Sequence, residues 1–358
     1  MTVNIIVVVI FLTGCAVPFI SPAKFWPISF FGLALPYALF VTLIFLVCWL
    51  FFYIKYSLVC LIPLMIGWKS IVVLFAFHPG NPPAVDPGNN ITVMSYNVRY
   101  FKNFDYSATR NVLLRNNIFD LIHNQHPDIL CLQEFYTADH SRDNENLQDI
   151  MKEMALPYAF FSDDHSFQNR HAGVVLFSKY PIIHTYKIGL SGAKSVESAI
   201  AADMVRNDKD TFRVITVHLQ SIYLNRKDFK GLQKLMHQED TGLVASRIIV
   251  GKLRKAFLER EYQAHTVADM IRQSPYPVIV CGDFNDTPNS YAYFTISKNL
   301  QDAFLKKGFG LGRTYSGIAP TLRIDYILAS PSFSVQSFQC IRKILSDHYP
   351  VISKVRFR

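Results

Sequence analysis

The sequence predicts an α/β (α+β) sandwich of two packed central β-sheets flanked by helices, preceded by N-terminal transmembrane helices. Short β-rich runs with helical patterns between them recur from Ile91 onward, which is typical of layered α/β folds. Residues 1–77 are almost free of charge, and residues 78–90 are dense in Pro, Gly and Asn. We therefore predict a membrane anchor over 1–77, a linker over 78–90 and a globular domain over 91–358.

The anchor is predicted to contain about three transmembrane helices. Val3–Ile20 and Phe25–Ile54 hold no charged residue, and a helix that spans a bilayer needs roughly 20 mostly apolar residues. Tyr56–Phe77 is also long enough but carries Lys69, whose ammonium group would have to reach the headgroups. These helices make the lipid bilayer the first expected partner of the chain.

Two other interpretations of the N-terminal segment stay open. Leu12-Thr13-Gly14-Cys15 resembles a lipoprotein cleavage box with Cys15 as the acylated residue, although no Lys or Arg precedes the apolar run as a signal peptide requires. A buried helix bundle in a soluble protein is the second interpretation, but roughly 70 nearly uncharged residues at one end of a chain are unusual in soluble folds.

The side of the membrane that the globular domain occupies is weakly encoded. Lys24 and Lys55 fall in successive loops and favour opposite topologies. Three spans that begin on the inside, with Lys55 inside, would place the globular domain outside. We therefore expect an exterior domain.

The globular region contains eight strand-like runs and a long amphipathic helical stretch from about residue 241 to 273. The runs are Ile91–Tyr96, Ile129–Leu132, Gly173–Phe177, Ile200–Val205, Phe212–Val217, Val278–Cys281, Ile324–Leu328 and Val351–Val355. Several lack clean alternation, which indicates burial on both faces. The six cysteines show no paired spacing, so we infer neither disulfides nor a zinc site.

Polar residues follow the ends of these apolar runs. They are Asn97, Glu134, His218, Asp283, Asn285, Asp325, Asp347 and His348. Each has an ordinary alternative, since a lone histidine such as His218 fits a satisfied core position and Asp283 fits a turn. Placed together where buried strands end, carboxylates, amides and imidazoles can converge on one rim of a sheet, as a hydrolytic metal site requires.

The order of these motifs carries a family resemblance. SYN, LQE, VHL, GDFND, RIDYIL and SDHYPV, from about Ile91 to Phe357, resemble the endonuclease/exonuclease/phosphatase superfamily. With the apolar N-terminal spans, the layout looks like the membrane-anchored bacterial branch of that superfamily. The resemblance implies a hydrolase acting on phosphate esters in the bacterial inner membrane. Its exterior, periplasmic side is the expectation from the three-span topology given above.

The resemblance also implies a metal site. Hydrolysis of an anionic ester needs positive charge near the nonbridging oxygens, and hard oxygen ligands favour Mg²⁺ or Mn²⁺. Glu134 is the leading ligand, Asn97 orients Glu134 or joins the metal shell, and Asp347 completes the shell or holds a second ion.

The remaining roles concern water and phosphate. By resemblance, Asp283 and Asn285 position and activate the attacking water, while His218 donates to a phosphate oxygen. His348 contacts the phosphate and is oriented by Asp325. Whether Asp283 or His348 is the general base stays open, because the two sites are coupled.

The substrate is the least determined feature. Residues before Asn89 carry three Lys and Asp86, or +2 of the net +9, which leaves +7 for the catalytic region. Basic clusters at Arg226–Lys234 and Lys252–Arg260 suit nucleic acid and favour a nuclease-like phosphodiesterase, although such residues on a helix usually form a solvated face.

Three alternatives to a nuclease stay open. They are a phospholipid or sphingomyelin phosphodiesterase, a small-molecule phosphatase and a non-catalytic binding relative. Candidate contacts to the substrate are Arg170, His171, Tyr315 and Arg323. No protein partner can be inferred.

Overall fold

The computed structural model describes residues 1–79, 89–102, 108–139, 144–190, 198–207, 210–222, 242–317 and 319–358. The chain divides into two compact units. The first comprises Met1–Ile71, Gln220–His265 and Asn289–Thr295, and the second comprises Val72–Leu219, Thr266–Pro288 and Ile296–Arg358. The first unit thus adds two later segments to the predicted anchor.

The N-terminal segment is helical and apolar. Its helices are α1 (Thr2–Ala16), α2 (Pro22–Phe25), α3 (Ser29–Phe52), α4 (Leu58–Ile66) and α5 (Trp68–Val72), with 3₁₀ turns at Val17–Phe19, Trp26–Ile28 and Ile54–Ser57. Two stretches, Thr2–Phe19 and Pro22–Phe52, are long and apolar enough to cross a membrane. The third predicted span corresponds to α4 and α5, which are separate short helices, so a third crossing stays a prediction.

One of the later segments includes most of a long helix, α8 (Gly242–Arg272), whose residues up to His265 belong to the first unit. Glu261 accepts hydrogen bonds from the Ser21 hydroxyl and from the backbone N–H of Ala23, the latter at 2.6 Å. The rings of Phe257 and Phe30 meet edge to face at 5.6 Å. These contacts bind α8 to the N-terminal end of α2 and to the start of α3, a pairing that chain order alone does not reveal.

The second unit contains fifteen strands among the described residues. They are β1 (Ala76–Phe77), β2 (Ile91–Asn97), β3 (Ile129–Ala138), β4 (Tyr158–Phe161), β5 (His165–Phe167), β6 (Arg170–Ser178), β7 (Ile182–Gly189), β8 (Ser198–Asn207), β9 (Asp210–His218), β10 (Val278–Asp283), β11 (Gln301–Asp302), β12 (Phe309–Gly310), β13 (Asp325–Ala329), β14 (Phe333–Cys340) and β15 (Val351–Phe357). Each of the eight predicted runs overlaps one of these strands.

Four further helices complete the fold, together with a left-handed turn at Arg99–Lys102, where all four residues have positive φ. They are α6 (Ala108–His123), α7 (Asn146–Glu153), α9 (Tyr291–Ile296) and α10 (Ala303–Lys307). Asp302 caps α10, because its side chain accepts hydrogen bonds from the backbone N–H groups of Phe304 and Leu305.

The strands form two large mixed sheets. One has the order β14-β15-β2-β3-β6-β4 with β5 added beside β6, and the other has the order β11-β13-β10-β9-β8-β7. β2 runs parallel to β3, and β9 runs parallel to β10, whereas the other pairings in these sheets are antiparallel. Two parallel neighbours in each sheet end at the same edge, which brings their last residues together.

The core confirms the predicted sandwich. Val93 and Ile129 of the first sheet share one buried cluster with Val214 and Ile279 of the second. On the other face of the first sheet, alternate strand residues pack with Ile118 and other apolar side chains of α6 and α7. Both faces of the central strands are therefore covered, which explains why these runs lack an alternating polar pattern.

Candidate active site

Three predicted residues from the second sheet lie side by side. In the register of β9, β10 and β13, Asp283 is paired with His218 on one side and with Asp325 on the other. Gly282, directly before Asp283, has φ +137°, and a Cβ there would lie 2.0 Å from the carbonyl oxygen of Val217. Glycine thus allows the close approach of two backbones that fixes this row.

The first sheet contributes Asn97 and Glu134. Pairing of β3 with β6 shifts register between Leu132 and Phe135, and Glu134 within this irregularity has φ +49°. Nδ2 of Asn97 lies 3.2 Å from Oε1 of Glu134 and 3.1 Å from Oδ2 of Asp283. One buried amide therefore donates to a carboxylate from each sheet, which supports the predicted role of Asn97 in orienting Glu134.

His348 is held by the predicted partner. Its Nδ1 lies 3.0 and 3.1 Å from the two carboxylate oxygens of Asp325, and its Nε2 lies 3.6 Å from Oδ2 of Asp283. Burial disfavours the charged imidazole, but the carboxylates of Asp325 and Asp283 outweigh it and raise the pKa of His348 to about 10. The Tyr315 ring packs edge to face on His348 at 5.1 Å.

Asp283 is fully buried, and its two oxygens have different neighbours. Oδ1 accepts a hydrogen bond from the backbone N–H of Asn285 at 2.8 Å, while Oδ2 faces Asn97 and the two histidines. Burial raises the pKa of Asp283 to about 6, since the attraction of His348 and His218 only partly offsets burial and the charge of Asp325. The Asn285 side chain donates to the carbonyl oxygen of Leu219 at 2.9 Å.

His218 has an unused nitrogen at the centre of the site. Its Nε2 is buried without a hydrogen-bond partner and lies 3.7 Å from Oε1 of Glu134 and 3.9 Å from Oδ2 of Asp283. Such a buried polar atom is costly unless a ligand or water satisfies it. This favours ligand binding over the alternative of a satisfied core histidine.

Asp347 lies at the same edge and pairs with Arg99, a residue that the sequence did not identify. Nη1 of Arg99 lies 3.5 Å from Oδ2 of Asp347, and its backbone N–H donates to Oδ1 of Asn97 at 3.1 Å. The Ser346 hydroxyl ties this loop to β2 through the carbonyl oxygen of Asn97 at 2.9 Å. The sequence feature that could have identified Arg99 is its position two residues after Asn97, the last residue of the SYN motif.

The donor set fits a divalent cation. The contacts above contain four carboxylates, those of Glu134, Asp283, Asp325 and Asp347, and Arg99 pairs with one of them. Such an excess of oxygen donors and negative charge suits Mg²⁺ or Mn²⁺. Asp283, Asp325 and His348 can also place one ligand atom each within 4.8 Å of the others.

The four candidate substrate contacts have different surroundings. Tyr315 adjoins the site, as described above, and Arg170 is exposed at the start of β6. The imidazole of His171 lies 3.1 Å from Asp163 and 3.3 Å from Asp139.

The structure does not bring Arg323 to the site. Arg323 is 1% exposed, and its guanidinium is bound to Asp302 at 2.6 Å and to the carbonyl oxygen of Val73 at 2.8 Å. Its position two residues before Asp325 suggested a phosphate contact. The buried contacts with Asp302 and Val73 instead give Arg323 a role in stabilising the fold.

Sequence comparison identifies both parts of the chain. A model described as the endonuclease/exonuclease/phosphatase family matches residues 94–348. A second model, described as a domain of unknown function, matches residues 1–74. No curated protein matches the sequence.

Solved structures share the fold at low sequence identity. An endonuclease/exonuclease/phosphatase from Beutenbergia cavernae DSM 12333 has 17% identity and a TM-score of 0.54, with 75% of this chain and 72% of that chain covered. Mannosyl-6-phosphatase from Bacteroides thetaiotaomicron VPI-5482 has 19% identity and a TM-score of 0.51, with 75% and 100% covered. The human Nocturnin catalytic domain with bound sulfate has 19% identity and a TM-score of 0.51, with 76% and 97% covered.

Proposed function

Because the chain belongs to the endonuclease/exonuclease/phosphatase family, whose members are hydrolases acting on phosphoester bonds, we propose that it is a membrane-anchored, metal-dependent phosphodiesterase. The observation that carries the proposal is the contact of Asn97 with both Glu134 and Asp283, beside the unused Nε2 of His218. A non-catalytic binding relative would not need this complete set of acids, amides and imidazoles.

Family members generally depend on a divalent metal, and we assign its binding here to Glu134 and Asp347, with Asn97 orienting Glu134. A bound Mg²⁺ or Mn²⁺ would withdraw charge from the phosphate oxygens and lower the pKa of a water molecule. Oδ1 of Asn97 accepts from the backbone of Arg99 in this structure, so the amide acts on Glu134 through its Nδ2. Glu134 and Asp347 are the partly exposed carboxylates available to a cation.

The buried residues supply proton transfer and phosphate recognition. Asp283 accepts the proton of the attacking water, because its Oδ1 is fixed by the backbone of Asn285 and its Oδ2 faces the centre of the site. Asp325 holds Nδ1 of His348, which leaves Nε2 as the imidazole atom directed to the phosphate. His218 donates from Nε2 to a second phosphate oxygen.

The proposed first substrate class is nucleic acid. The support for it is the net positive charge of the chain, which attracts polyanions. The basic segment Arg226–Lys234 lies outside the described residues. Within the segment Lys252–Arg260, Arg254 lies over the Trp26 ring and Arg260 is buried, so neither guanidinium forms part of an open basic groove.

A second candidate substrate is the phosphodiester of a phospholipid or sphingomyelin. The observation that favours it is the apolar N-terminal segment, on which many large side chains are exposed, including Phe51 at 83% and Phe52 at 75%. A chain anchored by these residues would meet lipid headgroups at high local concentration. A sugar phosphate stays a third candidate, in line with the small-molecule alternative.

One panel separates these candidates. The full chain in detergent, with Mg²⁺ or Mn²⁺, is incubated with an oligonucleotide, with phospholipid and sphingomyelin vesicles, and with a sugar phosphate. A nuclease releases short oligonucleotides and loses activity steeply as salt rises. A lipid phosphodiesterase releases a phosphorylated headgroup, and a phosphatase releases inorganic phosphate.

Matched variants assign the activity to the site. Asp283→Asn should abolish turnover, whereas Asp269→Asn makes the same chemical change at a half-exposed helix residue and should leave activity unchanged. Chelation should remove activity, and added Mg²⁺ or Mn²⁺ should restore it. Equal activity of Asp283→Asn and the parent protein would exclude the proposed site, and no turnover of any substrate would favour the binding relative.

We further propose three spans in a bacterial inner membrane with the catalytic domain on the exterior. The exposed apolar surface of α1 and α3 supports membrane insertion. Protease treatment of intact and lysed spheroplasts, prepared from cells that produce a C-terminally tagged chain, tests the orientation. Loss of the tag in intact spheroplasts is expected, and protection until lysis would place the domain inside.

A further inference from the structure

The chain that follows the N-terminal helices belongs to the second unit and is held there by backbone hydrogen bonds. β1 pairs with β12 in an antiparallel ladder, and the backbone N–H of His78 donates to the carbonyl oxygen of Gly308 at 3.1 Å. Arg323 donates to the carbonyl oxygen of Val73 at 2.8 Å. Since α5 ends at Val72, and five extended residues reach at most about 18 Å, β1 lies within this distance of the helix end and β12 is its hydrogen-bonded neighbour.

Three phenylalanine rings are exposed at this point. Phe75, Phe77 and Phe309 are 45%, 69% and 58% exposed, and their ring centroids lie 5.8 to 6.4 Å apart. A contiguous exposed aromatic cluster is uncommon on a water-facing surface and marks an interaction site. Aromatic side chains are also typical of the boundary between lipid and water.

Basic side chains lie beside these rings. A cavity of about 610 Å³ is lined by Phe309 together with His78, Lys307 and Arg342, all of them exposed. The described residues that line it include no Asp or Glu. The cavity therefore combines positive charge with aromatic surface. We call the six residues Phe75, Phe77, His78, Lys307, Phe309 and Arg342 the exit face.

We propose that the exit face binds the anionic phospholipid headgroups of the bilayer in which the N-terminal helices are anchored. This inference depends on the proposed membrane anchoring. Lys and Arg near an anionic leaflet attract its headgroups, and aromatic rings enter the interface beside them. The short connection from Val72 would hold the exit face of an anchored chain near the bilayer. Lipid headgroups would then be present at the exit face at high local concentration.

Hydrogen–deuterium exchange of the full chain in lipid nanodiscs tests the proposal. Discs of phosphatidylcholine alone are compared with discs that also contain phosphatidylglycerol. We expect peptides covering residues 73–78 and 306–311 to exchange at least about tenfold more slowly in the anionic discs. The double variant Lys307→Gln/Arg342→Gln should lose this difference, because both charges of the cavity are removed.

A charge-matched control is Lys298→Gln/Lys354→Gln, which removes two exposed lysines that do not line the cavity. It should keep the lipid dependence. Equal exchange in both discs, or loss of the difference in the control as well, would overturn the exit face while leaving the anchor intact. Failure of the chain to copurify with discs would overturn both the anchor and the exit face.

Discussion

A Cβ added at Gly282 would make a very short contact with a neighbouring strand, and this allows a sharp prediction. A Cβ would lie 2.0 Å from the carbonyl oxygen of Val217 and 2.8 Å from its nitrogen, and both atoms belong to the backbone of β9. Restoring an ordinary separation of 3.4 Å requires a movement of about 1.4 Å. The substitution Gly282→Ala must therefore displace β9 or β10.

The expected loss of stability has two parts. Overpacking a close contact costs about 1–3 kcal/mol, and a side chain at an unfavourable positive φ costs about 1–3 kcal/mol. A combined loss of about 4 kcal/mol should lower the melting temperature by roughly 8–16 °C. Because His218 follows Val217 directly, its displacement by about 1 Å should also lower kcat by about 100-fold.

The measurements are thermal unfolding and steady-state hydrolysis by the full chain in detergent. Gly251→Ala is the matched control, because a Cβ at this helical position meets no atom within 4 Å. It should raise stability by about 0.5–1 kcal/mol and leave kcat unchanged. If Gly282→Ala melts and turns over like the parent protein, the close approach of β9 and β10 is not what fixes the site.

Three further substitutions test individual contacts. Asp325→Asn should lower kcat by about 10²–10⁴-fold, since His348 loses the carboxylate that orients it. The double variant Asp325→Asn/His348→Asn should lower kcat only a little further. If the two substitutions instead lowered kcat independently in steady-state assays, the coupling of the two residues would be contradicted. Arg323→Met should destabilise the protein by about 3–5 kcal/mol, because Asp302 is left buried and charged without its partner. The double variant Arg323→Met/Asp302→Asn should recover much of the lost melting temperature. A double variant no more stable than Arg323→Met would refute this explanation. Asn97→Ala should weaken Mn²⁺ binding by about 10–100-fold, measured by electron paramagnetic resonance of free Mn²⁺, and unchanged affinity would remove Asn97 from the metal site.

The sequence was most informative where buried strands end. Parallel neighbours terminate at one edge, so His218 and Asp283 could be predicted to meet from their positions after apolar runs. The pairing of Asp325 with His348 also follows the prediction. In each case the backbone of a central strand, rather than a flexible loop, determines where the side chain lies.

Features that depend on distant partners were not predictable. Arg323 was assigned to the substrate from its proximity to Asp325 along the chain, but its partner Asp302 comes from another strand and both are buried. Arg99 was missed because its role follows from a backbone turn with φ +47° after β2. The contact of Glu261 with the N-terminal segment joins residues about 240 positions apart, which local patterns do not encode.

The amide of Asn97 makes the geometry of the site depend on how the two sheets pack. Its Nδ2 donates to Glu134 of one sheet and to Asp283 of the other, so both hydrogen-bond lengths depend on the distance between the sheets. A core substitution that moves the layers apart would lengthen one of these contacts without altering any active-site residue. Turnover therefore depends on the packing of the interior. Variants selected for altered turnover should include substitutions of core residues between the two sheets, far from the reacting atoms.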